Sequence, residues 1–341
     1  MPDSQLKDRP VYSSISVDFV ARASLKDARC YGSNTLLAVV QYGKPNDALS
    51  HLECPVISLA IPQLDETDKV EVWTSSATVI TGQSNNIRYS ADGQLLIGVF
   101  QIAESDAFSF ERLTYEGYTE ILEFLESRGY PHLLRIWNHF SGINSEENGL
   151  ERYRSFCMGR YQAYAEHDPE FEKHLPAASG TGAKEKIMTL YFIASQESGI
   201  PIENPRQTSA YHYPLQYGVR SPSFSRAIIK EFGGQRQLLI SGTASIVGHE
   251  SRHQGDVEGQ LGETLSNIDA LLEHTRTSQG IDFCAGENKP LYKVYIRNSD
   301  DYPLISQKLN NKLGDRASIM YLNADICRSD LLVEIEAIYT V

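Results

Sequence analysis

The chain has 341 residues, of which 41% are hydrophobic, 10% aromatic and 22% charged. That is an ordinary globular composition, long enough for about two domains. A net charge of −13 with no Lys/Arg-rich stripe argues against nucleic acid, where phosphate neutralisation supplies most of the affinity, so an anionic ligand would need a local cluster of arginines. The longest apolar runs, Leu95 to Ile102 and Ile187 to Ala194, fall well short of the ~20 residues that span a bilayer, so no membrane partner is expected.

The opening segment, MPDSQLKDRP, is polar with charges of both signs and matches neither a signal nor a transit peptide, which reads as a cytoplasmic protein. Cys30, Cys54, Cys157, Cys284 and Cys327 are odd in number and form no CxxC pair, which fits reduced thiols, most of them small core residues. VYSSISVDFV and LLAVVQYG read as strands, followed by a buried strand LLIGVFQI from Leu95. TYEGYTEILEFLESRG from Thr114 reads as a helix with Tyr118, Ile121, Leu122 and Leu125 on one face. A strand from Leu133 to Phe140, a helix from Gly149 to Tyr164 and a strand from Lys186 to Ala194 complete the first copy of a pattern. PAASGTGAKE and SGIPIENPRQTS read as loops, the latter marking the domain boundary.

The second half repeats the order. YHYPLQYG and SFSRAIIKEF read as a strand pair, then come a strand from Gln237 to Gly248 and a helix from Val257 to His274 with Val257, Leu261, Leu265, Ile268 and Leu272 on one face. A strand at Leu291, a helix from Asp301 and a final strand from Leu331 to Tyr339 close it. In each half, strand, helix, strand, helix, strand marks an internal repeat. The expected fold is α+β, an α/β sandwich in each of two domains, 1–200 and 201–341.

In LLVEIEAIY, Glu334 and Glu336 share a strand face. A strand glutamate usually faces solvent; in a strand this apolar, a carboxylate must find partners or shift its pKa. His249 to His253 is a literal H-E-x-x-H, but zinc requires that motif on a helix, whereas a β-like run leads into it, Gly248 and Gly255 flank it, and a third ligand is not evident. No metal is expected.

SGTAS, GDVEGQ, LSNIDALL and the terminal VEIEAIY resemble the YjgF/RidA family over roughly residues 210–341. RIWNHFSGIN, GLERYRSFCMGR, PAASGTG, ENPRQTSAYHYPLQYGVRSPSFSRA and GHESRHQGDVEGQ, in that order, narrow the resemblance to the chorismatases. It implies two YjgF-like halves in a monomer, with the active site formed by the C-terminal half and its neighbour, and no metal or organic cofactor. The implied reaction takes chorismate to 3-hydroxybenzoate and pyruvate, feeding secondary metabolism such as antibiotic biosynthesis. Chorismate carries two carboxylates and an enol ether, so its site needs cationic clamps and a proton donor. Tyr153 with Arg160, seven apart on a helix, and Tyr213 with Arg220, flanking YPLQYGVR, are read as those clamps; without the resemblance they would read as core tyrosines and surface arginines. Glu334 is implied as the catalytic acid and base. Gly242 and Cys327 match the 3-hydroxybenzoate type, whereas alanine at both marks members that hydrolyse chorismate to a dihydroxy-cyclohexadienoate. A mixed 3- and 4-hydroxybenzoate product, an imine deaminase using Arg316 and a metabolite sensor are the alternatives. Roles for His253, Arg316 and Glu336 stay open.

Overall fold

The computed structural model describes residues 13–26, 35–43, 49–105 and 108–341, and Cys30 lies outside them. The repeat takes the form of two six-stranded sheets of matching topology. Across the first, the strands run Ala177–Ala183, His132–Ser141, Ile187–Ser195, Leu95–Ala103, Ile87–Ala91 and Ile80–Ser84. Across the second they run Ser318–Asn323, Leu291–Ile296, Val333–Thr340, Gln235–Ala244, Ala227–Phe232 and Ile200–Ile202. In both, the first two strands pair in parallel and the others antiparallel. Helices α1 (Phe110–Arg128) and α2 (Arg152–His167) serve the first half, α3 (Val257–Gln279) and α4 (Tyr302–Leu313) the second.

Local chemistry sets the helix limits. Ser109 caps α1 by accepting from the Arg112 amide, and Gly129 closes it at φ 77°, where a side chain would be strained. Asp256 caps α3 by accepting from the Gly259 amide. The expected faces are turned inward: Tyr118, Ile121, Leu122 and Leu125 on α1, and Leu261, Leu265 and Ile268 on α3, are buried. Each such side chain contributes about 1.5–3 kcal/mol by leaving water.

Three expectations fail for physical reasons. PAASGTG, read as a loop, is the strand Ala177–Ala183, and its small residues reflect what it meets. A Cβ on Gly182 would lie 2.8 Å from the Asp325 Cβ, and the Gly182 amide donates to the Asp325 carbonyl at 2.8 Å. Further along, the Ala178 amide donates to Ser241 Oγ at 2.9 Å and the Ser225 amide to the Pro176 carbonyl at 2.9 Å, so this strand joins the two halves. The strands Ile15–Ala21 and Leu36–Tyr42 do not finish the first sheet. With Val56–Leu59 and Lys69–Ser75 they form a separate four-stranded sheet. Its Ile15, Leu37, Val40 and Trp73 pack with Ile97, Trp137 and Tyr191 of one large sheet and Leu239, Tyr295 and Ile338 of the other. Finally, YHYPLQYG forms two 3-10 turns, Ala210–His212 and Leu215–Tyr217, on either side of Pro214. The edge strand beside Ala227–Phe232 is Ile200–Ile202 instead, where Pro201 sits at a sheet edge as proline must.

Candidate active site

The terminal strand, Val333–Thr340, runs through the middle of the second sheet, and Glu334 and Glu336 are each only 3% exposed. Their surroundings differ completely. Glu336 Oε1 accepts from Lys293 Nζ at 2.7 Å and Trp137 Nε1 at 2.7 Å, and Oε2 from Arg135 Nη2 at 2.8 Å and Ser179 Oγ at 2.5 Å. Burial alone would push Glu336 up, but Lys293 and Arg135 bring its pKa down to about 2. It is a fixed carboxylate.

Glu334 has no such partners. Its Oε1 is buried without a hydrogen bond, and its Oε2 lies 4.0 Å from the Cys327 sulfur. Burial, reinforced by the neighbouring Glu336 charge, raises its pKa to about 8 against the pull of Arg135 and Arg297. One strand face thus holds a permanent carboxylate beside a carboxylic acid that titrates near neutral pH, the separation from which acid and base roles are assigned.

Space beside Glu334 comes from a bulge. Pairing with the terminal strand shifts register between Ile240 and Thr243, and Gly242 lies within the shift. A Cβ there would collide with Glu334 Oε1 and stand 2.7 Å from its Cδ, so only glycine leaves the carboxyl where it is. The Gly242 amide donates to Ser179 Oγ at 3.0 Å, tying the bulge to the seam between the halves.

The pocket around Glu334 is lined by Tyr153, Arg160, Tyr213, Gly242 and Cys327, all expected from sequence. Arg160, 2% exposed on α2, stacks on Phe156 with its Cζ 4.7 Å from the ring centroid. Tyr213 accepts a 2.8 Å hydrogen bond from Arg226 Nη2. Burial, with Glu334 adding to it, keeps the Cys327 thiol protonated. Arg220 does not join them. It is exposed, its guanidinium 4.1 Å above Tyr161, because the 3-10 turns carry it to the surface. Arg226, 4% exposed at the head of Ala227–Phe232, lines the pocket instead.

Arg328, the next lining cation, stacks 4.0 Å from the Tyr217 ring centroid at the pocket mouth. Among the described residues, Arg160, Arg226 and Arg328 make no ion pair with a carboxylate, and Glu334 is the lone acid lining the pocket. With Glu334 protonated, the cavity is strongly cationic inside an acidic protein, as a small dianion requires. The walls Ala178, Phe224, Ala244 and Ile246 are apolar.

The segment carrying Cys327 and Arg328 is held from outside. Arg297 donates to the carbonyls of Leu331, Ile326 and Arg328 at 2.7, 3.1 and 2.9 Å and pairs with Asp325 at 2.6 Å. Gln260 of α3 donates to the Asp330 carbonyl at 2.8 Å and accepts from the Leu332 amide at 2.7 Å.

The other sequence candidates point elsewhere. H-E-x-x-H lies on a two-residue strand, Glu250–Ser251, and a left-handed turn at His253 with φ 56°. Its histidines take separate partners, His249 with Tyr217 and His253 with Glu263. Arg316 is exposed and donates to the carbonyls of Leu313 and Lys312 at the end of α4.

Residues 71–194 match the family described as chorismatase FkbO/Hyg5-like, N-terminal. A 3-hydroxybenzoate synthase of Streptomyces hygroscopicus is 34% identical over 89% of this chain and 91% of its own length. A chorismatase of the same organism is 35% identical over 89% of both. A chorismatase crystal structure, 32% identical, superposes with a TM-score of 0.83 over 96% of this chain and 99% of that one. With identities above 30% over nearly the whole length, the chain belongs to the chorismatase family.

Proposed function

We propose that the chain converts chorismate to 3-hydroxybenzoate and pyruvate, with Glu334 carrying the proton. The observation behind this reading is the buried Glu334 carboxyl, its Oε1 without a hydrogen bond and its Oε2 met only by the Cys327 thiol, protonated below about pH 8, in a pocket whose other charged lining residues are arginines. Arg160 and Arg226, with Tyr153 and Tyr213 beside them, take the two substrate carboxylates, as guanidinium forks do bidentately. Glu334 protonates the enolpyruvyl methylene, which makes the ether carbon electron-poor. The C3–oxygen bond then breaks, its electron pair closing the pyruvate carbonyl, while the C4 hydroxyl oxygen bonds to C3 and returns its proton to Glu334. The resulting arene oxide isomerises to 3-hydroxybenzoate.

The two products together contain the atoms of the substrate, so neither water nor a cofactor enters the balance. Gly242 and Cys327 support this route through the resemblance to the 3-hydroxybenzoate type. The pocket draws on both halves of one chain, which supports a monomeric enzyme; a cytoplasmic location is part of the same proposal. In a folded Glu334→Gln variant, loss of a positioned proton donor is expected to lower kcat by about 10²–10⁴-fold with KM little changed. Wild-type turnover in that variant would refute the assignment.

A further inference from the structure

Behind the active pocket lies a closed ionic cluster to which three sheets contribute. Glu71, 0% exposed on Lys69–Ser75 of the N-terminal sheet, pairs through Oε2 with Lys293 at 2.8 Å. It accepts from Trp73 Nε1 at 2.6 Å and Tyr42 Oη at 3.4 Å. Lys293 also pairs with Glu336 at 2.7 Å and donates to Tyr191 Oη at 3.0 Å, while Arg135 of the first large sheet pairs with Glu336 from the other side. The cluster therefore holds two cations and two carboxylates. Tyr42, Tyr191 and Tyr295 face it as phenols raised chiefly by burial, and buried His139 is uncharged, its pKa brought down to about 3. Within the cluster no positive charge is left over for Glu334.

We propose that Glu71, on a sheet that contributes no residue to the pocket lining, is a positioning residue that keeps Glu334 protonated by completing the charge balance of this cluster. The inference rests on Glu334 being the acid. Its logic is electroneutrality in a region of low polarity. With Lys293 and Arg135 answered by Glu71 and Glu336, the cluster lends an ionised Glu334 no net positive charge. Without Glu71, one positive charge is free to stabilise it. The other groups facing Glu334 would be unchanged by that loss: Cys327 and Tyr153 are neutral, Arg297 is paired with Asp325, and Arg160, Arg226 and Arg328 keep their charges with or without Glu71. The N-terminal sheet would then have a function in catalysis besides covering the core.

The test is an infrared titration of the protonated carboxyl band that disappears in Glu334→Gln, alongside kcat/KM against pH. In Glu71→Gln, which keeps an acceptor for Trp73, the band's midpoint and the alkaline limb of the rate profile should both fall by on the order of one pH unit, the effect of one charge nearby at an effective dielectric of about 20. Glu71→Asp should keep the wild-type profile. Lys293→Gln should move the midpoint upward, and Glu71→Gln/Lys293→Gln, neutral again, should bring it back. These two variants also decide the matter if Glu71→Gln alone fails to fold. An unmoved band in a folded Glu71→Gln protein, or no restoration in the double variant, overturns the inference. A band that moves while the rate profile stays put supports the role of Glu71 and removes Glu334 from the proton transfer.

Discussion

Gly242→Ala is the smallest change that reaches the reacting group. The added Cβ would overlap Glu334 Oε1, stand 2.7 Å from Glu334 Cδ and 3.1 Å from Ser179 Oγ. Ser179 is fixed by Arg135 at 2.6 Å and by Glu336, so it cannot retreat. The Glu334 carboxyl is the free party and must swing by about 1 Å. Overpacking of this kind costs about 1–3 kcal/mol of stability. A catalytic group displaced by about 1 Å costs on the order of 10²-fold in rate. The expected result is 3-hydroxybenzoate formation lowered by about 10²-fold, KM changed little because the arginines are untouched, and a larger share of dihydroxy-cyclohexadienoate. Chromatography of the ring products over a substrate series, with thermal unfolding alongside, measures all three. Unchanged turnover and product ratio in a folded variant would refute the steric reading of Gly242.

The same geometry fixes other outcomes. With Glu334 as the proposed acid and its pKa near 8, kcat/KM should decline as pH rises through 8. Since folding raises this pKa from 4.5, the associated stability is fully present below pH 4.5 and is lost as pH climbs through 8. Urea unfolding at pH 6 and pH 9 should show that loss in wild type, and Glu334→Gln should reduce it. Arg226→Lys, which forfeits the fork, should raise KM by about tenfold or more, whereas Arg220→Ala should leave KM within about twofold, a contrast read from steady-state kinetics. Cys327→Ala should change the product ratio more than KM; an unchanged ratio removes the thiol from the mechanism.

Much of the fold was legible because its hydrophobic periods are clean. The faces of α1 and α3 and the run VEIEAIY each carry their own signal. The strands Ala177–Ala183 and Ser318–Asn323 were missed in both copies of the repeat. The former is rich in Gly, Ala and Ser because the other half packs against it, and periodicity cannot reveal a partner distant in sequence. The N-terminal strands were recognised and given to the wrong sheet, since strand pairing is not written in a single strand.

At the site, Glu334, Cys327, Tyr153, Arg160, Tyr213 and Gly242 came from motif resemblance, and the structure brings them together. From sequence Arg220 was named and Arg226 was not, whereas the structure places Arg226 in the pocket lining and Arg220 at the surface beyond the 3-10 turns around Pro214. A charged residue leading straight into the apolar Ala227-Ile228-Ile229 was the signal available for Arg226. Glu71 and Lys293 carry no local signal, because each is justified only by the other across two sheets.

The most direct test is turnover of chorismate in ¹⁸O-labelled water, with the ring product identified by chromatography and pyruvate trapped at once as lactate before its carbonyl exchanges. Equal amounts of 3-hydroxybenzoate and pyruvate, neither carrying solvent oxygen, are expected, since every oxygen comes from the substrate. A dihydroxy-cyclohexadienoate with labelled pyruvate would contradict that route, because the label would show water adding to the enolpyruvyl ether carbon with the C3–oxygen bond kept.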